Sequence, residues 1–437
     1  MNYPNYRKLE EFISVMIIIL SGFIVTAFFK INHGWTFASL DEMIWHYRSS
    51  VFWDKFLSFD FSGLIQSAQP GIMVYWFTGF MMRFIDFDFN DVNRRIAEKE
   101  AEGLDFNSAI NANNIAVYEV YETISFAFNV PLFLLITVFF ISFYFLLKKL
   151  GFNRIIASFS LLFLVTNMFL HYWITPSDKM LNIFITLSFL SILVHLTGKV
   201  DKKYLVLSAV FGAWAVLSKL SALFILPFYL FVLVYYKWPL SKKKIKLIFK
   251  DYFVWIFIFI LTSVIFLPSI ITNPEDVYGL FFSSENIFEE NYNAGSYVSR
   301  VVFDYTKLFS FMVIGCMAQF SILSLVAYFF LKFNKKYKNV FKDLPQRHIK
   351  AIGAYIILFA VMVTLISKNH DIRLMSPVFV MLNVISAIGL YGAVEVLAKE
   401  SEVNAKLKYF FYVAIFFITI IFQISYIIFI AQQNLLA

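Results

Sequence analysis

The sequence predicts an all-α, polytopic integral membrane protein with about eleven transmembrane helices. Three observations predict this fold class: the composition, the length of the apolar runs and the distribution of charge between them. Of the 437 residues, 60% are hydrophobic and only 15% are charged. Globular domains have about 45–50% apolar and about 25% charged residues. A hydrocarbon core needs roughly 20 apolar residues of helix, and the chain supplies such runs repeatedly.

The predicted helices follow the apolar runs in order. We place them at residues 12–29, 117–147, 153–172, 177–197, 204–218, 220–237, 252–271, 308–332, 350–367, 375–397 and 408–431. The first run begins with two acidic residues and has no small-residue cleavage site, so we interpret it as a retained helix rather than a signal peptide. Residues 1–437 are predicted to form a single transmembrane domain, without an internal repeat or a separate soluble domain.

The charges between these runs predict the orientation. With the N-terminus in the cytoplasm and each helix crossing once, cytoplasmic segments hold 24 of the 37 Lys and Arg, and external segments hold 21 of the 29 Asp and Glu. This is the positive-inside pattern. Orientation and anionic lipid therefore account for the basic runs Lys242–Lys246 and Lys332–Lys350. We expect the lipid bilayer, and no nucleic acid, as the partner of these charges.

Two external segments are long, one over residues 30–116 and the other over 272–307. Within the first, Glu42–Phe59 is amphipathic, with Ser49 and Asp54 on its polar side. This pattern predicts a helix that lies along the outer membrane surface. The apolar run Ile72–Ile85 is too short to span comfortably and predicts a second interfacial helix.

Adjacent carboxylates, Asp41 and Glu42, follow the first predicted helix. Just beyond a membrane helix, they suit a general base that removes a proton from an acceptor hydroxyl. Helix capping is an equally good interpretation, because Ser39-x-x-Glu42 is a capping box and Asp41 complements the helix dipole. Both roles remain open at this point.

Other candidates for chemistry lie at external helix ends, where charges near lipid are costly and commonly functional. Arg373 and His370 precede a helix and suit a phosphate, or else anchor the chain at the interface. Asp178 and Lys179 stand at another helix start, as site residues or as helix-terminal charges. Lys219 occupies a tight external turn. The spacing of the histidines indicates no metal site, and the one cysteine, Cys316, excludes a multi-thiolate site.

The first external segment resembles that of the GT-C glycosyltransferases, and more narrowly the bacterial branch related to protein O-mannosyltransferases and lipid A aminoarabinose transferases. The resemblance is carried by Leu40-Asp41-Glu42, Trp45, Tyr47-Arg48-Ser49 and Phe52, followed by Gln69-Pro70-Gly71. Shorter matches follow at Ser177-Asp178-Lys179, Leu217-Ser218-Lys219, Pro227, Asp371-Ile372-Arg373 and Pro377. This chain has Gln69 where the family commonly has His, and Leu374 where an Arg-Tyr pair is usual.

The resemblance implies an inverting transfer of a sugar from a polyprenyl-phosphate donor to an unknown extracytoplasmic acceptor. It implies Asp41 as the base, and Arg373 and Lys219 as contacts to the donor phosphate, with His370 nearby. Arg48 and Gln69 are further site candidates on the matched segments. We expect a mannosyltransferase-like enzyme of the cell envelope, in the bacterial cytoplasmic membrane, with its site outside. No cofactor is indicated, although a divalent metal ion stays open. The alternatives are a lipid-linked glycan polymerase or ligase, a transporter and a scaffold.

Overall fold

The computed structural model describes residues 10–24, 40–64, 71–82, 114–167, 176–197, 201–282, 319–366, 376–401 and 405–436. These ranges contain helices, turns and short connections, and no strand. The predicted all-α class is therefore confirmed for them. Five helices are long and apolar enough to cross a membrane: Val130–Lys149, Ser177–His195, Leu220–Lys237, Lys242–Phe266 and Ser376–Glu400.

The helices are numbered here in chain order, starting with α1 at residues 10–24. The others are α2 (Leu40–Leu57), α3 (Ile72–Met82), α4 (Asn114–Lys149), α5 (Arg154–Val165), α6 (Pro176–His195), α7 (Lys202–Ser218), α8 (Ile225–Lys237), α9 (Lys242–Phe266), α10 (Ser269–Thr272), α11 (Pro274–Phe282), α12 (Gln319–Phe333), α13 (Gln346–Ile366), α14 (Ser376–Glu400) and α15 (Ala405–Leu436). Short 3₁₀ helices occupy Ser62–Leu64, Leu220–Phe224 and Lys338–Phe341.

Most of the bounds that fall on described residues lie within a few residues of the predicted ones. The exceptions are the end of α5, which stops at Val165 rather than at the predicted 172, and the start of α9. Helix α9 begins at Lys242, ten residues before the predicted start at 252, so the basic run forms its first turns. The Ser241 side chain caps the helix by accepting a hydrogen bond from the Lys244 amide. Hydropathy places a helix start at the edge of the apolar run, whereas the backbone hydrogen bonds continue into good helix formers such as Lys.

The centre of the helix assembly is formed by α6 and α14. The apolar window of α6 is 94% buried, against 28% for that of α9. Buried hydrogen bonds at Ser208 of α7 connect this helix to α6 and α9: Ser188 Oγ of α6 donates to the Ser208 backbone carbonyl at 2.6 Å, and Trp255 Nε1 of α9 donates to Ser208 Oγ at 3.1 Å. Because buried polar groups are costly unless paired, these bonds fix the three helices relative to one another.

The two predicted interfacial helices, α2 and α3, pack against each other. Trp53 Nε1 donates to the Tyr75 carbonyl at 2.8 Å, and the hydroxyls of Ser49 and Thr78 lie 3.3 Å apart. The expected position of Ser49 on a polar side is wrong, because this side chain is 0% exposed. Its small hydroxyl and the absence of a side chain on Gly79 let the two backbones approach closely. Trp76 of α3, whose ring packs against Trp53, also connects α3 to α9: its Nε1 donates to the Phe266 carbonyl at the end of α9 at 2.8 Å.

A close helix crossing between α12 and α14 gives the first prediction. A Cβ atom on Gly389 would overlap the Ser324 carbonyl oxygen, so this glycine sets how near the two helices approach. We expect Gly389→Ala to lower the free energy of unfolding by about 1–3 kcal/mol through overpacking. Gly353 in α13 is the matched control, because a Cβ there meets nothing within 4 Å.

Melting temperatures of the two purified variants in detergent test this prediction. Gly353→Ala should leave the melting temperature unchanged or raise it, because alanine is the better helix former. If the two substitutions have equal effects, the α12–α14 crossing is not as close as described.

Candidate functional site

An ion pair joins two of the predicted site residues at one end of the helix assembly. Asp178 lies in the first turn of α6, and Lys219 lies in the turn between α7 and the 3₁₀ helix Leu220–Phe224. Lys219 Nζ is 2.5 Å from Asp178 Oδ1, and the side chains are 26% and 0% exposed. A buried carboxylate requires a charged or hydrogen-bonding partner, and Lys219 supplies one. The sequence predicted both residues as candidates but not their pairing.

The turn at Lys219 is built so that the ammonium reaches α6. Lys219 has an extended backbone, with φ −160° and ψ 135°, and its amide closes α7 by donating to the Ala215 carbonyl. An ammonium has three hydrogen-bond donors, and in the described part of the chain one of them is used by Asp178. Lys219 is therefore positioned by Asp178 and keeps donors for a ligand anion.

The Gln69-Pro70-Gly71 motif reaches the same turn. The Gly71 amide donates to the Ser218 carbonyl at 3.3 Å, next to Lys219. Gly71 has a φ of +43°, which favours glycine, and its carbonyl accepts from the Val74 amide in the first turn of α3. Gly71 thus fixes the start of α3 beside the ion pair. Gln69 and Pro70 lie outside the described residues.

The start of α14 also docks on α6 close to the ion pair. Ser376 Oγ donates to Asn182 Oδ1 at 2.9 Å, and both side chains are buried. Asn182 is four residues after Asp178, so both lie on one face of α6, a turn apart. The sequence analysis did not single out Asn182 or Ser376. The spacing of polar residues within an apolar run was the signal that could have found them.

The predicted catalytic pair lies in the first turn of α2, since that helix begins at Leu40. This start agrees with the capping box that ends at Glu42. The side chains of Asp41 and Glu42 lie outside the described part of the structure, as do Arg373 and His370. The contacts of Ser49 with Thr78 and of Trp53 with Tyr75 make α2 antiparallel to α3, so Asp41 lies at the end of α2 that is remote from Gly71 and the ion pair.

Two further site candidates, Arg48 and Lys179, are half-buried. Lys179 follows Asp178 in the first turn of α6, and Arg48 lies midway along α2. At the end of α2, Lys55 Nζ in the last turn contacts Oδ2 of Asp60, which follows the helix, at 2.6 Å. This hydrogen bond from Lys55, with others from Ser62 and the Gly63 amide, lowers the pKa of the Asp60 carboxyl to about 2. Asp60 therefore stays ionised in the turn that leads towards α3.

A second charged cluster lies at the opposite end of α6. Lys237 Nζ is 2.7 Å from Asp251 Oδ2, and His195 Nε2 is 3.9 Å from the same oxygen. This cluster joins the ends of α6, α8 and the early part of α9. No group of three or more His, Cys, Asp or Glu suited to a metal ion occurs within the described ranges. The two ends of α6 thus carry different chemistry, and the Asp178 end collects the predicted site motifs.

Comparison of the chain with family models, curated proteins and solved structures finds no match.

Proposed function

We propose that the chain is an inverting GT-C-type glycosyltransferase, which transfers a sugar from a polyprenyl-phosphate donor to an extracytoplasmic acceptor. The acceptor is a glycolipid, a polysaccharide or a protein. One observation carries the proposal: the Asp178–Lys219 ion pair lies beside the point where the Gly71 turn meets the end of α7, and one helical turn from the point where the start of α14 meets α6. Three separate motifs of the predicted site converge there. The residue before α14 that suits a phosphate, Arg373, is three positions from Ser376 in the sequence.

The location suits a lipid-linked donor. A polyprenyl tail dissolves only in the bilayer, while its phosphate lies at the level of the headgroups. Lys219 directly precedes the apolar segment Leu220–Lys237, and Asp178 is in the first turn of Ser177–His195. Both segments are long and apolar enough to cross a membrane. A cation between the ends of two such segments can meet a phosphate whose tail extends along the helices.

The proposed reaction is a single displacement. The acceptor hydroxyl oxygen attacks the anomeric carbon from the face opposite the phosphate, and Asp41 accepts the hydroxyl proton, a step that requires the start of α2 to approach the ion pair when the donor binds. The new carbon–oxygen bond forms as the bond from the anomeric carbon to the phosphate oxygen breaks, so the configuration inverts. Negative charge develops on the departing polyprenyl phosphate, where Lys219 and Arg373 donate hydrogen bonds. Glu42 caps α2 and orients Asp41.

The proposed topology has about eleven spans, with the N-terminus in the cytoplasm of a bacterium and the site outside its inner membrane. The five long apolar helices and the positive-inside charge distribution support it. The basic start of α9 and the Lys237–Asp251 pair then lie at the cytoplasmic end of the assembly, opposite Asp178.

Mass spectrometry of a reconstituted reaction tests the proposed function. Purified protein is incubated with polyprenyl phosphates carrying different sugars and with membrane extract as the acceptor source. We expect one acceptor to gain the mass of one sugar while free polyprenyl phosphate accumulates. Asp41→Asn protein is the control for contaminating transferases. If no acceptor gains mass with any donor, or if the donor crosses the membrane unchanged, the chain is not this transferase.

A further inference from the structure

A row of polar side chains continues from the ion pair into the protein along α6. Asp178, Asn182 and Thr186 follow one another at intervals of four residues, so they lie on one face of the helix. Each step advances about 6 Å along the helix axis. The side chains are 0%, 4% and 0% exposed. Polar groups this deeply buried normally have partners, so their hydrogen bonds need to be accounted for.

The inner two members of the row have donors without acceptors. The carboxamide oxygen of Asn182 accepts from Ser376 Oγ, which fixes the orientation of the amide and directs its NH₂ group elsewhere. In the part of the chain that the structure describes, Asn182 Nδ2 has no hydrogen-bond partner, and neither has Thr186 Oγ1.

The state of Thr186 differs from that of other threonines in this chain. The hydroxyls of Thr78, Thr137, Thr166 and Thr419 each donate to the carbonyl four residues earlier. This local bond is the usual way in which a helical threonine satisfies its hydroxyl. Thr186 lacks that bond although it is equally helical. Its hydroxyl and the Asn182 amide, one turn apart on the face that carries Asp178, are therefore both available to a bound group.

The chemistry of the row selects the class of ligand. A buried hydrogen-bond donor without an acceptor destabilises the folded protein by about 1–3 kcal/mol. A ligand that supplies an acceptor oxygen to this donor therefore gains binding free energy. An isoprenoid tail offers no acceptor. A phosphate forms a stronger, charge-assisted hydrogen bond with the Lys219 ammonium at the outer end of the row than with the two neutral donors. Neutral hydroxyl oxygens match an amide NH₂ and a threonine hydroxyl.

We propose that Asn182 and Thr186 bind hydroxyl groups of the donor sugar, while Lys219 binds the donor phosphate. This inference rests on the proposed function for the identity of the ligand. The sugar then lies on α6 inward of the ion pair, and Ser376 positions Asn182. Bound water is the other source of hydroxyl oxygens, and the experiment below separates the two.

Equilibrium binding of two lipids to purified protein in nanodiscs tests the inference. One lipid is bare polyprenyl phosphate, and the other is the polyprenyl-phosphate sugar that binds the wild type most tightly among mannose, glucose and aminoarabinose forms. The variants are Asn182→Leu and Thr186→Val, which keep the side-chain size and remove the donors. Asn383→Leu is the matched control, because Asn383 is a buried asparagine of α14 whose Nδ2 also lacks a partner but which lies off the α6 row.

We expect each α6 variant to weaken binding of the sugar lipid by roughly tenfold, without changing affinity for the bare lipid. Asn383→Leu should change neither affinity. If the α6 variants retain the wild-type preference for the sugar lipid, the row holds only water and the inference is wrong. The same conclusion follows if Asn383→Leu lowers the preference equally. If the wild type binds neither lipid, the proposed function fails together with this inference. Thr186→Val alone decides the outcome if Asn182→Leu does not fold.

Discussion

Lys219→Met is expected to lower the free energy of unfolding by about 3 kcal/mol, because it removes the ammonium that faces a fully buried carboxylate. The side chain of methionine is similar in length and apolar, so most of the loss comes from the Asp178 carboxylate. Thermal or denaturant unfolding in detergent measures the change. Lys203→Met is the matched control. Lys203 Nζ also forms an ion pair, 2.8 Å from Asp201 Oδ2, but both of these side chains are exposed to solvent.

The double variant Asp178→Asn, Lys219→Met sharpens this prediction. If the ion pair accounts for the loss, removal of both charges should restore part of the stability that Lys219→Met removes. Lys203→Met should behave nearly as the wild type, because water solvates both of its charges. Equal destabilisation by Lys203→Met and Lys219→Met would show that Asp178 is not buried as described. It would also remove the geometric basis of the proposed phosphate site.

Asp41→Asn is expected to reduce the rate of sugar transfer by roughly 10²–10⁴, the usual contribution of a general base. Asparagine has nearly the same shape and can still hydrogen-bond near the start of α2, so the melting temperature should stay close to that of the wild type. The transfer assay with the identified donor and acceptor measures the rate, and thermal unfolding checks the fold.

Glu42→Gln distinguishes the two roles that the sequence left open. If Glu42 caps α2 and Asp41 is the base, Glu42→Gln should retain most of the activity, because glutamine also completes a capping box. A wild-type rate for Asp41→Asn would assign the base to another residue. A loss of folding in Asp41→Asn would favour capping as the role of Asp41.

The helices were largely predictable from the sequence because their apolar runs are long and are interrupted by charge. The prediction for α7, residues 204–218, differs from Lys202–Ser218 by two residues at its start. The start of α9 was missed because a polar helical turn looks like a loop on a hydropathy scale. The buried position of Ser49 was missed because helical periodicity sorts polar from apolar residues, whereas a tight helix crossing selects for small ones.

The site was predictable in its parts but not in its assembly. Asp178 and Lys219 were recognisable as charges at the ends of apolar runs, yet 41 positions separate them in the sequence. Their pairing depends on how α6 and α7 pack, which no local pattern contains. Asn182 gave no signal on its own, because a single asparagine in an apolar run usually contributes a buried hydrogen bond. Its unmatched amide became visible only when Ser376 was seen to occupy the oxygen.

The proposed chemistry requires Asp41 and the Asp178–Lys219 pair to face the extracytoplasmic side, and cysteine labelling in intact cells measures this most directly. The protein is prepared with Cys316→Ser and one new cysteine, either Asp41→Cys or Lys243→Cys. We predict that a membrane-impermeant maleimide labels position 41 in intact cells and position 243 only after the membrane is permeabilised. Labelling of position 41 only after permeabilisation would place the site in the cytoplasm and contradict transfer from an outward-facing lipid-linked donor.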